Sequence, residues 1–183
     1  ITAVVFAVLY LALAIKQNIL CWSAWILSSC LYTYVMYSAG LYMEALLQIF
    51  YVCMGIYGWH QWLNKNSTEQ ELPVLTWEPI KHVGAVTLIF VLAYASGFLL
   101  EKYTAAALPF LDALTTWGAI VTTYMVANKI LENWIYWFVI DSISIYLFIS
   151  RELYFTALLF FVYLFMIVIG YRTWKQSRVA VND

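Results

Sequence analysis

The sequence has few charged residues, since Asp, Glu, Lys and Arg make up only 10% of its 183 positions. A soluble domain carries about 25% charged residues, so this chain has too little polar surface to cover a soluble fold. Glycine (7) and proline (3) are too scarce for a collagen-like or low-complexity chain, and the net charge of −1 provides no basic footprint for nucleic acid. Hydrophobic residues reach 65% and aromatic residues 19%. The composition therefore predicts a polytopic, all-α membrane protein.

Motifs of metal, phosphate and nucleophilic chemistry are missing from the sequence. Cys21, Cys30 and Cys53 show no CxxC spacing and lie in apolar runs, which is typical of free thiols that act as small hydrophobic residues. His60 and His82 have no second ligand at helical spacing. No glycine-rich phosphate loop or nucleophile elbow appears. We therefore expect no metal, no cofactor and no enzymatic activity.

Charged and turn-forming residues divide the chain into seven apolar stretches of the length that crosses a bilayer, about 17–25 residues. The first stretch lacks the charged flank and cleavage site of a signal peptide, so it is interpreted as a span, and because the sequence starts at Ile1 we expect part of its beginning to be missing. The predicted spans lie near 1–15, 20–37, 43–62, 82–101, 112–128, 134–150 and 153–172.

The polar segment Asn64–Pro79 divides the chain, with three spans before it and four after it, and the first of those four is interpreted as a connector between two sets of three. The predicted organisation is a first three-helix repeat (1–63), a cytoplasmic linker (64–80), a connecting transmembrane helix (81–104), a second three-helix repeat (105–174) and a cytoplasmic tail (175–183). Repeats of this parallel kind place a substrate site between them near the middle of the membrane.

The distribution of Lys and Arg predicts the orientation. The side of the C-terminus is expected to hold Lys16, Lys65, Lys81, Lys129, Arg172, Lys175 and Arg178, and the opposite side Lys102 and Arg151. Positive charge concentrates on the cytoplasmic side, so the C-terminus is predicted to be cytoplasmic and the start of the chain to face outward.

The two halves resemble each other in sequence. Asn18–Trp22 matches Asn133–Trp137 at an offset of 115 residues, and after a three-residue gap the offset becomes 112. At that second offset the matching pairs are Leu41-Tyr42 with Leu153-Tyr154, Tyr51 with Tyr163, Gly58 with Gly170 and Trp62 with Trp174. Gly55, Gly58 and Gly170 are expected to allow close helix contact.

An ionisable group at bilayer depth is costly, so Asp141 in the sixth span is the principal candidate for function. Helical spacing places it on one face with two indoles, a hydroxyl and a phenyl ring, namely Trp134, Trp137, Ser144 and Phe148. Aromatic faces and a carboxylate suit a flat organic cation. A structural carboxyl group, protonated or bonded to a neighbouring helix, is the alternative for Asp141.

The third and fifth spans add further candidates. Glu44, Gln48 and Tyr51 share one helical face, where Glu44 is either solvated at the outer end or functional. Gln48 suits either substrate hydrogen bonds or contacts between helices. In the fifth span, Thr116 and Thr123 follow Asp112 on one face, with Thr115 and Thr122 beside them, and threonines in a span usually bond back to their own helix.

Several motifs in order resemble the PnuC family of bacterial vitamin transporters over essentially the whole chain. They are Leu41-Tyr42 with Gln48, the run Tyr57–Trp62, the run Asp112–Lys129 with Glu132–Trp137, and Gly170–Trp174. The resemblance implies a seven-span SWEET-like fold, facilitated diffusion of an unphosphorylated vitamin, and trapping of that vitamin by a cytoplasmic kinase. It also implies that Trp134, Trp137, Gln48 and Asp141 line the site.

Taken together, we expect a uniporter for a cationic vitamin, thiamine or nicotinamide riboside, that works by alternating access. The resemblance associates an aspartate at position 141 with the thiamine branch and an asparagine with the nicotinamide riboside branch. The partners expected are the vitamin, the lipid bilayer, a vitamin kinase and further copies of the chain, for example in a trimer. A SWEET-like sugar carrier and a membrane subunit of a larger complex are the alternatives. The full set of expected substrate-binding residues is Trp134, Trp137, Asp141, Ser144, Gln48, Tyr51, Glu44, Thr116, Thr123 and Asn133.

Overall fold

The computed structural model describes residues 2–38, 42–63, 72–103 and 108–182, and within these ranges the regular structure is helical apart from one isolated bridge. The described residues form seven helices, which confirms the prediction of an all-helical chain with seven helical segments. The helices are α1 (Thr2–Ile15), α2 (Leu20–Ser38), α3 (Tyr42–Leu63), α4 (Pro79–Tyr103), α5 (Pro109–Ala127), α6 (Asn133–Ser150) and α7 (Tyr154–Asn182).

Four of these helices are long and apolar enough to cross a membrane: α4, α5, α6 and the part of α7 over Tyr154–Arg178. Shorter apolar stretches occur in α1 and α2, over Val4–Ile15 and Leu20–Val35. The hydropathy that predicted the spans therefore coincides with helical structure along both halves of the described chain.

Two helix boundaries differ from the predicted ones. Helix α4 begins at Pro79 rather than at residue 82, because proline is well accommodated in the first turn of a helix, where its missing N–H is not needed. Helix α7 continues to Asn182, so the segment 175–182, predicted as a tail, is helical. Residues 64–71 of the predicted linker lie outside the described residues. Within the rest of the linker, the carbonyl of Leu75 accepts a hydrogen bond from the Leu131 amide at 2.7 Å.

The turns that follow α1 and α5 are built in the same way. Gln17 (φ 53°) and Lys129 (φ 49°) both adopt the left-handed conformation. The Gln17 amide donates to Ala14 at 3.0 Å, and the Lys129 amide donates to Val126 at 3.0 Å. Each turn also has a second bond from the next amide to the carbonyl five residues before it, the pattern of a Schellman helix end.

These equivalent positions establish one constant offset of 112 residues between the halves. This offset relates Gln17 to Lys129. It also relates Trp22 to Trp134, and each of these tryptophans lies against a glycine at the same offset, Gly58 and Gly170. The offset of 115 predicted for the segment 18–22 is therefore wrong. The error comes from the W-x-x-W motif that both halves contain (residues 22 and 25, and 134 and 137). Because its two tryptophans are three residues apart, the halves can be aligned three residues out of register.

The chain divides into two compact units that do not follow the order of the sequence. The first contains residues 1–74, 126–129 and 172–183, and the second contains 75–125 and 130–171. The repeat, linker and tail boundaries derived from the sequence stay predictions.

In the first unit, α2 packs against both α1 and α3. The close contact of α2 with α3 occurs at glycine, as predicted: a Cβ on Gly55 would come within 2.6 Å of Ile26 Cγ1. Two tryptophans of this unit also form hydrogen bonds to segments that are distant in the chain. Trp62 Nε1 donates to the Val126 carbonyl at 3.3 Å, and Trp174 Nε1 donates to the Ala14 carbonyl at 3.0 Å.

These two indole bonds are reciprocal, since both the donors and the acceptors are related by the 112-residue offset. The Trp62 and Trp174 rings lie 6.1 Å apart. Each of the two repeats therefore donates an indole N–H to a helix-end carbonyl of the other, and this carbonyl also accepts the amide of the turn that follows its helix.

In the second unit, α4 packs against α5 and α6. Trp117 Nε1 on α5 donates to Ser96 Oγ on α4 at 2.9 Å. His82 Nδ1 on α4 lies 3.0 Å from the Tyr136 hydroxyl on α6. These contacts hold the connecting helix α4 to the first two helices of the second half.

Candidate functional site

The polar stripe predicted on the sixth span lies on the buried side of α6. Trp134, Asp141 and Ser144 are 2%, 5% and 7% exposed. Trp137 and Phe148, which complete the stripe, are half-buried. The structure therefore brings two indoles, a carboxylate and a hydroxyl together along a protein-facing stripe, as the helical spacing predicted.

Asp141 has no hydrogen bond or salt bridge to any other described residue. A salt bridge in the described residues of this unit joins Arg151 NH2, just after α6, to Asp112 Oδ2, in the first turn of α5, at 3.1 Å, and both side chains are partly exposed. A carboxylate that is removed from water without a partner is costly. A ligand that carries a positive charge would remove that cost, so this position is chemically suited to an organic cation.

The two indoles of the stripe have different surroundings. Trp134 lies directly against Gly170 of α7, where an added Cβ would be 2.5 Å from Trp134 Cη2. The position of the Trp134 ring is therefore fixed by packing within the protein. Trp137, one turn nearer to Asp141, remains half-buried and retains surface that a ligand could contact.

Asn133 is fully buried and belongs to the turn that starts α6. Its Nδ2 donates to the Ile130 carbonyl at 2.6 Å, while its Oδ1 has no partner among the described residues. The Asn133 Nδ2 group thus stabilises the turn, and Oδ1 is able to accept a hydrogen bond from a ligand.

All four threonines of α5 bond back to their own helix, as expected for threonines in a span. Thr116 Oγ1 donates to Asp112 O at 2.9 Å, and Thr123 Oγ1 donates to Ala119 O at 2.8 Å. Thr115 and Thr122 make the same kind of bond. Each hydroxyl uses its proton within the helix, so a ligand would meet Thr116 or Thr123 as an acceptor.

The candidates on α3 belong to the first compact unit. Gln48 is half-buried and makes no side-chain hydrogen bond to another described residue. The backbone carbonyl of Tyr51 accepts a hydrogen bond from Trp25 Nε1 at 2.8 Å, and the two rings meet edge to face at 5.4 Å. Glu44 lies in α3, but its side chain is outside the described part of the structure.

The sequence reasoning overlooked Trp25 and the burial of Lys129. Trp25 is the equivalent of Trp137 at the offset of 112, and the repeated W-x-x-W spacing was the signal that could have identified it. Lys129 was counted only for the orientation of the chain; it is 3% exposed, with Nζ 4.8 Å from the ring centroid of Trp62. This cation lies over an aromatic face rather than in water.

Among the residues that the structure describes, no three His, Cys, Asp or Glu side chains are grouped closely enough to hold a metal ion. On consecutive turns of α6 the described residues present an indole (Trp137), a carboxyl group (Asp141) and a hydroxyl (Ser144), groups that can contact a small organic molecule.

Comparison with known proteins places the chain among transporters. The family model described as nicotinamide mononucleotide transporter matches residues 1–176. The nicotinamide riboside transporter PnuC of Escherichia coli is 24% identical over 172 residues, which cover 80% of this chain and 72% of that protein. The riboflavin/roseoflavin transporter RibM of Streptomyces davaonensis is 23% identical over 180 residues, which cover 93% and 81%.

The fold also has a counterpart among solved structures. The crystal structure of the vitamin B3 transporter PnuC matches with a TM-score of 0.76 at 24% identity, over 98% of this chain and 81% of that chain. The predicted PnuC-type helical architecture is thereby confirmed at the level of the fold.

Proposed function

Since this chain belongs to the nicotinamide mononucleotide transporter family, known as the PnuC family, we propose that it imports an unphosphorylated, cationic B vitamin, thiamine or nicotinamide riboside. The protein is a multi-pass membrane transporter of this bacterial family and not an enzyme. The choice of a cationic vitamin comes from the site residues and from the resemblance stated above.

The observation that carries this proposal is the buried Asp141 carboxylate, which has no partner among the described residues. Trp137 precedes it by one helical turn and Ser144 follows it by one turn. Thiamine and nicotinamide riboside each have a permanently charged ring. A desolvated cation over an indole is stabilised by about 2 kcal/mol, and the carboxylate supplies the counter-charge.

The roles of the site residues follow from their surroundings. Asp141 neutralises the cationic ring, Trp137 stacks on it, and Ser144 bonds a polar group of the vitamin. Trp134 packs against Gly170 and lies one helical turn before Trp137 on the same face. Gln48, Tyr51, Glu44, Thr116, Thr123 and Asn133 stay predicted contacts.

Between the two vitamins the carboxylate slightly favours thiamine. A carboxylate only accepts hydrogen bonds, and thiamine offers an aminopyrimidine donor in addition to its cationic ring. The relative named for riboflavin transport shows that proteins similar to this chain handle a third vitamin, whose neutral ring would not need a counter-charge.

The proposed transport is facilitated diffusion with alternating access around a fixed site. The sequence contains no phosphate-binding loop through which ATP would energise it. Phosphorylation of the vitamin by a cytoplasmic kinase would keep the imported molecule inside. The proposed location is the bacterial inner membrane, with the N-terminus periplasmic and the C-terminus cytoplasmic, because most Lys and Arg residues fall on the C-terminal side.

The test is a titration of the purified protein, followed by tryptophan fluorescence, with thiamine, nicotinamide riboside, riboflavin and glucose. Asp141→Asn should weaken binding of a cationic vitamin by about tenfold or more, since a hydrogen bond to a charged group contributes roughly 1.5–3 kcal/mol. The matched control is Asp112→Asn, because Asp112 is a surface carboxylate on α5 that pairs with Arg151.

Three results would contradict the proposal. Unchanged affinity of Asp141→Asn for both cationic vitamins would remove the counter-charge role. Binding of glucose alone would indicate a sugar carrier. Retention of a partner protein without binding of any of the four solutes would indicate a subunit of a larger complex.

A further inference from the structure

An apolar groove of about 570 Å³ lies within the second compact unit, among α4, α5 and α6. Its open side is formed by exposed hydrophobic residues, such as Phe90 (58%) on α4 and Val139 (53%) on α6. Gly118 of α5 contributes to its floor. Asp141, Trp137 and Ser144 do not line it, so this groove is distinct from the proposed vitamin site.

Charged and strongly polar side chains line the groove at one end. Glu132 accepts a hydrogen bond from the Trp77 amide at 3.2 Å, and His82 Nδ1 lies 3.0 Å from the Tyr136 hydroxyl. Glu132 is the N-cap residue of α6, Tyr136 lies in the first turn of α6, and His82 lies in the first turn of α4. Glu132 is the one formally charged residue in the described lining.

The length of the groove corresponds to one leaflet of a bilayer. Along α6 the lining runs from Glu132 to Ile143, which is about 16 Å at 1.5 Å per residue. The hydrocarbon core of a bilayer is about 30 Å thick, so half of it is about 15 Å. The groove thus begins among polar groups at a helix end and finishes in an apolar region about half a membrane away.

We propose that this groove binds a single phospholipid of the bilayer, with one acyl chain along α6 and an amine-bearing head group at Glu132. A polar end and a tail one leaflet long are the shape of such an amphipathic molecule. The exposed hydrophobic residues face outward in helices that are long and apolar enough to cross a membrane, so lipid has direct access to them.

The charge of the polar end selects the head group. An anionic head group would meet the like charge of Glu132, whereas a primary ammonium group would donate a charge-assisted hydrogen bond to it. Lys81, which is exposed and precedes His82 in the chain, supplies a cation for a phosphate at the same end of α4. Glu132 and Lys81 together fit phosphatidylethanolamine, whose head group carries an ammonium group for Glu132 and a phosphate for Lys81.

Native mass spectrometry of the full chain, with lipids of identical acyl chains, tests this proposal. Phosphatidylethanolamine should bind about tenfold more tightly than phosphatidylglycerol or phosphatidylcholine, the effect of one charge-assisted bond. Glu132→Gln should abolish that preference. Val139→Trp should fill the groove and reduce retention of phosphatidylethanolamine by about tenfold or more, whereas Ile149→Trp, an exposed position on α6 outside the groove, should leave retention unchanged.

Ile135→Trp is a second groove-filling variant in case Val139→Trp does not fold, and the elution volume of each variant reports its folded state. Equal retention of phosphatidylethanolamine by groove-filling variants and the Ile149→Trp control would overturn the lipid assignment. Equal affinity for phosphatidylglycerol would overturn the assignment of the amine. A lipid-free oligomer that Val139→Trp dissociates would show that a second copy of the chain occupies the groove, and would overturn the proposal as well.

Discussion

Gly170 of α7 lies against the face of α6 at Trp134, so close that a Cβ would meet Cη2 of the indole at 2.5 Å. Gly58 of α3 has the same relation to Trp22 of α2, with an even shorter approach. A real Cβ essentially never comes within 3.0 Å of such an atom. Each repeat therefore joins its second and third helices through a tryptophan that occupies the space of a missing side chain.

Gly170→Ala and Gly58→Ala are expected to destabilise the protein. Inserting a methyl group into a filled contact costs about 1–3 kcal/mol, because a rigid buried indole must move. Thermal unfolding of the purified protein in detergent measures the effect as a lower Tm.

Gly84→Ala is the matched control for these two variants. Gly84 is also helical, but no atom lies within 4 Å of an added Cβ, and alanine is the better helix former. Its Tm should equal or exceed that of the parent. A Gly170→Ala protein that melts like Gly84→Ala would show that the glycine contact is not required.

The reciprocal indole bonds predict unequal effects of two equivalent substitutions. Trp174→Phe removes a bond of 3.0 Å to the Ala14 carbonyl, and Trp62→Phe removes a longer bond of 3.3 Å to the Val126 carbonyl. Each carbonyl keeps the amide of the following turn, Gln17 or Lys129, so the loss is that of one hydrogen bond, about 0.5–1.5 kcal/mol. Trp174→Phe should therefore lower the Tm more than Trp62→Phe does.

Trp59→Phe on α3 serves as the control for these bonds. Trp59 is half-buried and its indole makes no hydrogen bond to a described residue, so the substitution changes ring size without removing a bond. If Trp59→Phe lowered the Tm as much as Trp174→Phe, ring volume rather than the hydrogen bond would account for the effect.

Much of the helical architecture was predictable from the sequence because hydropathy and turn-forming residues act locally. The buried stripe of α6 was predictable for the same reason, since Trp134, Asp141 and Ser144 are related by helical spacing alone. The register of the repeat was not predictable from the sequence. Each W-x-x-W motif has two tryptophans three residues apart, so the two halves can be aligned with a shift of three residues and still match. The left-handed conformation of Gln17 and Lys129 marks the true register, and neither residue type signals it in a sequence.

Burial of charge was the other feature that composition could not reveal. Lys129 entered the sequence analysis only through its positive charge, yet it is buried over Trp62, a residue distant in the chain. The groove that contains Glu132 likewise depends on how α4 packs against α5 and α6. Such contacts between distant segments have no periodic signature in the sequence.

The salt bridge between Arg151 and Asp112 is expected to contribute little to stability. Its side chains are 34% and 41% exposed, and exposed ion pairs contribute about 0–1 kcal/mol. Arg151→Ala, Asp112→Ala and the double variant should all unfold within a few degrees of the parent. A double-mutant cycle, measured at low and at high salt, checks the coupling, and a coupling well above 1 kcal/mol that persists in high salt would contradict this expectation.

The two indoles of the α6 stripe should separate stability from binding. Trp134 is 2% exposed and packs on Gly170, so Trp134→Leu should leave a cavity and lower the Tm, at a cost of about 2 kcal/mol or more. Trp137 is half-buried, so Trp137→Leu should change the Tm less while weakening vitamin binding by about tenfold or more through loss of the aromatic face.

Isothermal titration calorimetry with thiamine and nicotinamide riboside, together with thermal unfolding, measures both effects on the same preparations. Trp117→Leu provides a comparison, since its indole donates to Ser96 on α4 and lies outside the stripe. That variant should lose stability without a change in affinity in the folded fraction. If Trp137→Leu instead lost stability as Trp134→Leu does and kept the parent affinity, Trp137 would be a packing residue, and the cation would have to be held by Asp141 without an indole beside it.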